Sequence, residues 1–176
     1  MTLSPLNAIS PIDGRYYSKT NMLSPYFSEF ALTYYRLVVE IRWLESLAAN
    51  ETISEIPKFD QETRAFLQAL IDNFDEAEAE KVKVFEKQIN HDVKSIEYYL
   101  RDKFLEHSSL DAVSGFIHFA CTSEDINNLA YALMIKQAIA QVMQPALAEI
   151  MGGITLLGKQ HADVAMLSRT HGQPAT

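Results

Sequence analysis

Several polar stretches of the sequence contain side chains that could transfer a proton or bind an anion. In one of them, Thr170-His171-Gly172-Gln173, the histidine lies between a hydroxyl and an amide that could both orient its ring. Imidazole titrates closer to neutral pH than other side chains, so a positioned histidine suits acid or base catalysis. The same pattern is compatible with an exposed histidine in a polar tail, and both interpretations stay open.

A second candidate is the polar start of a predicted helix, Thr122-Ser123-Glu124-Asp125. A helix N-terminus with two hydroxyls is suited to a carboxylate or a phosphate, because its first amides have no partner within the helix. Thr122 with Asp125 also fits a capping pattern that needs no ligand. The two interpretations are compatible, since a bound anion can use donors that the cap leaves free.

Two further segments are weaker candidates for anion binding. In Asn90-His91-Asp92, Asp92 is a plausible cap for the next helix, which would leave His91 without a role. In a polar loop near the start of the chain, Arg15 and Tyr16 could hold a phosphate through the guanidinium and the phenol. A surface ion pair would use the same arginine, so this signal is not specific.

The sequence offers no pattern that is typical of a metal site. His118 and Cys121 have a suitable spacing but no third or fourth ligand nearby, so we interpret them as core residues. Cys121 is the only cysteine, which excludes a disulfide within the chain and favours a reducing compartment. We therefore expect no metal.

The composition predicts a soluble, cytoplasmic protein. Of the 176 residues, 48% are hydrophobic, which is enough for a sizeable core. The net charge of −8 argues against a general binder of nucleic acids or membrane surfaces. The first residues lack the basic charge of a secretory signal, and no apolar run is long enough to span a bilayer.

The spacing of the apolar residues predicts an all-α fold, without the alternation that is typical of strand pairs. Ser24 with Pro25 predicts the start of a long helix, and Asp60 and Asp75 each open a shorter one. The acidic stretch 75–80 predicts a solvated helix face.

A longer helical stretch is predicted to start at Thr122 or Ser123 and to reach at least Gln141. Its apolar stripe continues to Leu157, although Pro145 must kink or split the helix. Because this stripe has no partner helices in the sequence, we expect the chain to be the N-terminal piece of a longer protein.

Four segments occur in an order and spacing that are typical of one enzyme family. They are SPIDGRY at 10–16, NHDV at 90–93, HFACTSEDINN at 118–128 and SRTHGQPAT at 168–176. Together they resemble the bacterial adenylosuccinate lyases of the fumarase and aspartase superfamily, and the resemblance covers the whole chain. The last two segments are shared across the superfamily, whereas the first two favour the adenylosuccinate branch.

The resemblance implies a C–N lyase that needs no metal or organic cofactor. The family releases fumarate from adenylosuccinate, giving AMP, and from the succinyl carboxamide nucleotide of purine synthesis. In both β-eliminations a base removes a proton beside a carboxylate, and an acid protonates the leaving nitrogen. Family members are homotetramers that share active sites between subunits, so the implied partners are a small nucleotide substrate and further copies of the chain.

The same resemblance assigns roles to the candidate residues. It makes His171 the catalytic acid, supported by Thr170, and it makes Thr122 and Ser123 the binding site for a carboxylate. The other substrate-binding residues that it implies are Arg15 and Tyr16 for the nucleotide, and Asn90, His91 and Asp92, with His91 near the phosphate and the reaction centre.

The resemblance also predicts how the chain is organised and what it lacks. An N-terminal helical domain is expected over residues 1–111, and the first helices of the central bundle over 112–176. The serine base is expected beyond Thr176, because the family's serine loop is absent, so the chain alone should be inactive. The alternatives are a lyase of the argininosuccinate or fumarase type and a non-catalytic helical interaction module.

Overall fold

Helices make up almost all of the regular structure in residues 5–175, the part of the chain that the computed structural model describes. The elements are α1 (Tyr17–Thr20), α2 (Ser24–Phe27), α3 (Glu29–Ala49), α4 (Gln61–Asp72), α5 (Glu76–Ile89), α6 (Asp92–Phe104), α7 (Ser108–Asp111), α8 (Ser123–Ala138), α9 (Gln144–Gln160), β1 (Arg169–Thr170) and β2 (Gln173–Pro174). Short 3₁₀ helices lie at Asn21–Leu23 and Ser114–Phe116, and a π-helical turn at Ile139–Met143. The all-α prediction is confirmed, with one two-stranded hairpin that the sequence pattern did not indicate.

Helix α3 is the central element of the first of two compact units, which ends at Ala138. It packs against α2, α4, α5, α6 and, most extensively, α8. One of its faces, with Leu37 and Ile41, packs together with helices α4, α5, α6 and α7 in the larger apolar core. Another face, with Ala31 and Tyr35, packs on the start of α6 and on α8 in a second cluster. Because two faces of α3 are buried, the polar side chains on these faces must find partners inside the protein.

The long helix predicted from Ser24 is interrupted, so this prediction was wrong in part. Helix α2 does begin at Ser24 with Pro25 in its first turn, but Ser28 adopts an extended conformation with a ψ of 167°. The Ser28 hydroxyl accepts a hydrogen bond from the amide of Ala31 at 3.1 Å and caps α3. A serine side chain competes with the helix for backbone donors in this way, which ends one helix and starts the next.

The helix starts predicted at Asp60 and Asp75 are confirmed. Asp60 accepts a hydrogen bond from the amide of Thr63 and caps α4. Asp75 does the same for the amide of Glu78 and caps α5. In both cases an aspartate satisfies one of the amides that the first helical turn leaves without a partner.

The predicted long helical stretch is also confirmed, since no strand or loop interrupts residues 126–140. The expected disturbance near Pro145 takes the form of the π-helical turn Ile139–Met143, which separates α8 from α9. A proline inside a helix has no amide to donate and crowds the carbonyl four residues earlier, here that of Gln141. Widening the preceding turn relieves this conflict without ending the helix.

The second compact unit runs from Ile139 and contains α9 and the hairpin. None of the residues in α9 is buried, and Leu147, Ile150, Ile154 and Leu157 are each more than half exposed. An apolar stripe of this kind is typical of a helix that packs against another element. The predicted domain division after residue 111 differs from these two units and stays a prediction. Within the described residues, no helix is long and apolar enough to cross a membrane.

Glu78 is not part of a solvated helix face, as the sequence predicted for residues 75–80, but lies in a partly buried cluster. Its Oε2 accepts hydrogen bonds from the hydroxyl of Tyr99 at 2.7 Å and from Nζ of Lys103 at 3.0 Å. Its Oε1 accepts another from Nζ of Lys81 at 2.7 Å. Partial burial opposes ionisation, but these donors outweigh it and lower the pKa of Glu78 to about 2. The ionised carboxylate therefore ties α5 to α6.

This cluster predicts a specific loss of stability in acid. Because the pKa of Glu78 is about 2 in the folded chain and near 4.5 in the unfolded one, its contribution is complete above pH 4.5 and is lost as the pH falls towards 2. We expect Glu78→Gln to lower the free energy of unfolding by about 1–2 kcal/mol at pH 7, a value discounted for solvent screening, and by much less near pH 2.

Urea denaturation at a series of pH values measures this difference. Glu80→Gln removes an exposed carboxylate from the same helix and is the matched control, with an expected effect below about 0.5 kcal/mol. If the loss of unfolding free energy in Glu78→Gln stays constant down to pH 2, the low pKa assigned to Glu78 is wrong.

Candidate active site

The segment Asn90-His91-Asp92 forms the tight connection between α5 and α6. Asn90 ends α5 in the left-handed conformation, with a φ of 55°, and its amide donates to the carbonyl of Glu86. His91, and not Asp92 as predicted, is the N-cap of α6, because its Nδ1 accepts a hydrogen bond from the amide of Lys94 at 3.1 Å. An imidazole that accepts at Nδ1 carries its proton on Nε2 when neutral. The half-exposed His91 ring therefore offers an Nε2–H donor.

Asp92 is the first residue of α6 and is held by a buried arginine. Its Oδ2 lies 2.6 Å from a terminal nitrogen of Arg36, whose side chain is 5% exposed. The Nε of Arg36 also donates to Oδ1 of Asn127 in α8, at 2.9 Å. Partial burial raises the pKa of Asp92, but the charge of Arg36 and the Val93 amide outweigh this and lower it overall. Asp92 therefore remains ionised and links α6, α3 and α8 through one guanidinium.

The predicted capping pattern at the start of α8 is confirmed. The amide of Thr122 donates to Oδ2 of Asp125 at 2.8 Å, and the Thr122 hydroxyl accepts from the amide of Glu124 at 3.2 Å. Within residues 5–175, the hydroxyl of Ser123 has no hydrogen-bond partner. The cap thus leaves the Ser123 hydroxyl available to a ligand at the positive end of the helix.

The loop before α8 has an unusual backbone. His118 and Ala120 both adopt left-handed conformations, with φ of 63° and 59°. This region is sterically unfavourable for residues with a Cβ and is maintained only where the surrounding structure imposes it. His118 and Cys121, predicted as core residues, are only partly buried. Burial and the nearby charge of Glu40 raise the pKa of the Cys121 thiol.

Arg15 and Tyr16 lie at the end of a hydrogen-bonded turn near the start of the described chain. The Arg15 guanidinium carbon lies 5.4 Å from the ring centroid of Tyr16, and both side chains are exposed. The preceding Gly14 is buried, and a Cβ at this position would lie 3.0 Å from the carbonyl of Pro5 and the Cβ of Ala8. Any larger residue at position 14 would therefore crowd the turn immediately before the two candidate residues.

His171 lies at the tip of the β1–β2 hairpin in the second unit. Thr170 pairs with Gln173, so His171 and Gly172 form a two-residue loop. Both have positive φ, 48° and 75°, as a type I′ hairpin turn requires. The His171 ring is exposed, and no described residue is hydrogen-bonded to it. Its orientation by Thr170 or Gln173 stays a prediction, and Thr176 lies outside the described residues.

The structure therefore brings together two of the segments that the sequence singled out. Arg36 joins the Asn90–Asp92 connection to the first turns of α8, which begin beside Thr122 and Ser123. Sequence reasoning missed Arg36 because it lies within an apolar stripe and belongs to no motif. The signal available in the sequence was an arginine with aromatic residues before it and the apolar run Leu37-Val38-Val39 after it.

Comparison with known proteins identifies the family. A family described as "Lyase" matches residues 14–176. The chain belongs to this lyase family. It is part of the fumarase and aspartase superfamily, as the four sequence segments predicted.

The relatives within this lyase family carry a consistent name. The chain is 76% identical to the adenylosuccinate lyase of Legionella pneumophila (strain Corby). It is 51% identical to that of Vibrio cholerae (strain O395) and 49% identical to that of Escherichia coli K12. Each comparison covers the whole chain, which spans 39% of the length of these relatives.

The left-handed conformation before α8 can be tested by replacing Ala120. Glycine adopts this conformation without the steric cost of a Cβ, so Ala120→Gly should raise the free energy of unfolding by about 1 kcal/mol. Ala112 is also exposed but has a right-handed conformation, with a φ of −60°. Ala112→Gly should therefore lower stability by about 0.5–1 kcal/mol. Urea denaturation measures both variants, and a loss of stability in both would refute the left-handed conformation at Ala120.

Proposed function

We propose that this chain is the N-terminal part of an adenylosuccinate lyase, which eliminates fumarate from adenylosuccinate to give AMP. We extend the proposal to the same elimination from the succinyl carboxamide nucleotide of purine biosynthesis. The observation that carries it is identity of 49–76% over the whole chain with relatives that have this name. Because the chain spans 39% of those relatives, the activity belongs to the full-length protein.

In the proposed reaction, the start of α8 binds a carboxylate of the succinyl group. The hydroxyls of Thr122 and Ser123 and the first amides of the helix are the donors. The free Ser123 hydroxyl and the positive end of a 16-residue helix support this role. A bound carboxylate also accepts the charge that develops when the neighbouring C–H bond is broken.

The Asn90–Asp92 segment supplies further donors for the nucleotide. The Nε2–H of His91 is free to donate because Nδ1 caps α6. One carboxylate oxygen of Asp92 accepts a hydrogen bond from Arg36. Because Arg36 also donates to Asn127, this contact ties the segment to α8. Arg15 and Tyr16 bind the nucleotide part of the substrate in this proposal, since an exposed guanidinium beside a phenol suits a phosphate.

His171, supported by Thr170, is proposed as the acid. The base takes the proton from carbon, the electron pair forms the double bond of fumarate, and the C–N bond breaks towards nitrogen. His171, in its protonated form, then gives its proton to that nitrogen. An exposed position at a hairpin tip supports access to a substrate. The base is proposed to be a serine in the part of the protein that follows residue 176.

Self-assembly is the proposed partner interaction, as a homotetramer in the cytoplasm. The exposed apolar stripe of α9 supports it, because a stripe of this kind is stable when it is covered by other helices. Further copies of the chain and the rest of the protein are the proposed source of those helices.

The roles of His171 and Ser123 can be separated by steady-state kinetics of the full-length protein. His171→Ala should leave substrate binding nearly unchanged and lower kcat by about 10²–10⁴-fold, the usual effect of a positioned acid. Ser123→Ala should weaken binding as well as turnover, because its hydroxyl contacts the substrate in both states. His161→Ala, which changes another exposed histidine of the second unit, is the control. Near-normal turnover in His171→Ala would end the assignment of the acid.

The 176-residue chain alone should release no measurable fumarate from adenylosuccinate. Without the serine base, carbanion formation has no proton acceptor, and catalytic groups that act as a unit retain little activity singly. Fumarate release is measured for this chain, for the separately produced C-terminal remainder and for their mixture. Activity only in the mixture is the expected result, whereas turnover by the chain alone would place the base within residues 1–176.

A further inference from the structure

Helix α3 holds the loop before α8 at two adjacent residues. Oε1 of Glu40 and Nδ1 of His118 are 2.6 Å apart and share a hydrogen bond. One turn further along α3, the indole N–H of Trp43 donates to the carbonyl oxygen of Phe119 at 2.8 Å. Residues three apart on a helix face the same side, so these two contacts act on one stretch of the loop.

The stability of the fold does not account for Glu40. Its side chain is fully buried, and its Oε2 has no hydrogen-bond partner among the described residues. Burial outweighs the contact with His118 and raises the pKa of the carboxyl group. A buried carboxyl with an unpaired oxygen is less favourable than an apolar side chain of similar size. The contact with His118 is the only side-chain hydrogen bond of Glu40 in residues 5–175.

The loop itself needs such contacts. His118 and Ala120, on either side of Phe119, are both left-handed. A strained backbone relaxes unless its neighbours hold it. Thr122 follows Ala120 by two residues, so the path of this loop determines how the chain enters α8.

We propose that Glu40 and Trp43 are positioning residues for the carboxylate site at the start of α8. Through His118 and Phe119 they fix the strained loop, and this sets the direction of the donors of Thr122 and Ser123. The inference rests on the proposed function, because it takes this helix start to bind a carboxylate of the substrate. In this proposal Glu40 and Trp43 act through the loop and do not contact the substrate.

Three variants of the full-length protein test this role. Glu40→Met and Glu40→Gln replace the carboxyl group at similar size, and Trp43→Phe removes the indole donor. In Glu40→Met and Trp43→Phe, hydrogen exchange over residues 117–126 should become about tenfold faster, because each variant removes one of the hydrogen bonds that must break when the loop opens. The Kd for fumarate, measured by calorimetry, should rise about fivefold or more. Glu40→Gln should have a smaller effect on exchange, because its amide can still form a hydrogen bond with His118. The melting temperature of Glu40→Met should not fall, because the variant removes an unfavourable buried carboxyl.

Glu78→Gln and Tyr99→Phe are the matched controls. They remove a carboxylate and an aromatic hydrogen-bond donor from a cluster that includes no residue of the loop. Both should lower the melting temperature, while loop exchange and the Kd for fumarate change by less than about twofold.

Unchanged loop exchange in all three variants would overturn the proposal. Faster exchange with an unchanged Kd for fumarate would also overturn it, because the loop would then not position the site. Ser123→Ala separates this result from a failure of the proposed function. If Ser123→Ala weakens fumarate binding, only the positioning role is wrong, and if it does not, the carboxylate site itself is wrong.

Discussion

The buried charge of Arg36 is the interaction on which the arrangement of this helical unit depends. A guanidinium that is removed from water must be paired and hydrogen-bonded, or the unit loses several kcal/mol. Arg36 meets this requirement with Asp92 at the first residue of α6 and with Asn127 near the start of α8. The N-terminal ends of both helices must therefore lie within reach of α3.

Glu40 lies one turn after Arg36 and forms a hydrogen bond with His118 in the loop before α8. Apolar packing holds the body of α3 against its neighbours, whereas these two polar residues fix the starts of α6 and α8 and the loop before α8 against α3. Hydrophobic contacts are not directional, so they tolerate small sliding movements of one helix on another. Charged hydrogen bonds have defined lengths and angles. The segments around residues 90–92 and 122–123 are thus attached by the more specific kind of contact.

Much of the fold could be predicted because its determinants are local. Apolar spacing gave the helices, and Asp60, Asp75 and Thr122 marked helix starts through contacts with residues two or three positions away. The errors at Ser28 and His91 are also local and arose from competing cap residues: a serine inside an apolar pattern, and an imidazole beside an aspartate. Caps of this kind differ by a fraction of a kcal/mol to about 1 kcal/mol, so residue type alone does not decide between them.

The candidate site could be predicted only as separate segments. Motifs indicated the regions around residues 15–16, 90–92, 122–123 and 170–171, but no local pattern indicated that Arg36 would join residues 90–92 to the start of α8. The hairpin around His171 was missed because its strands have two residues each, too few for alternation to be visible. The Gly172 that follows His171 was the one sequence sign of a left-handed turn.

The two-residue hairpin loop has a consequence for the order in which the parts of the site form during folding. The pairing of Thr170 with Gln173 closes a loop of two residues, so it costs little chain entropy and can form within microseconds. The contacts of Arg36 with Asp92 and Asn127 join residues 56 and 91 positions apart, and they require most of the first unit to be collapsed. The hairpin at His171 therefore needs only its own segment to form, although two strands of two residues are marginally stable alone. The helix starts at residues 92 and 123 are capped locally, but their positions relative to each other are fixed only when the long-range contacts of α3 are complete.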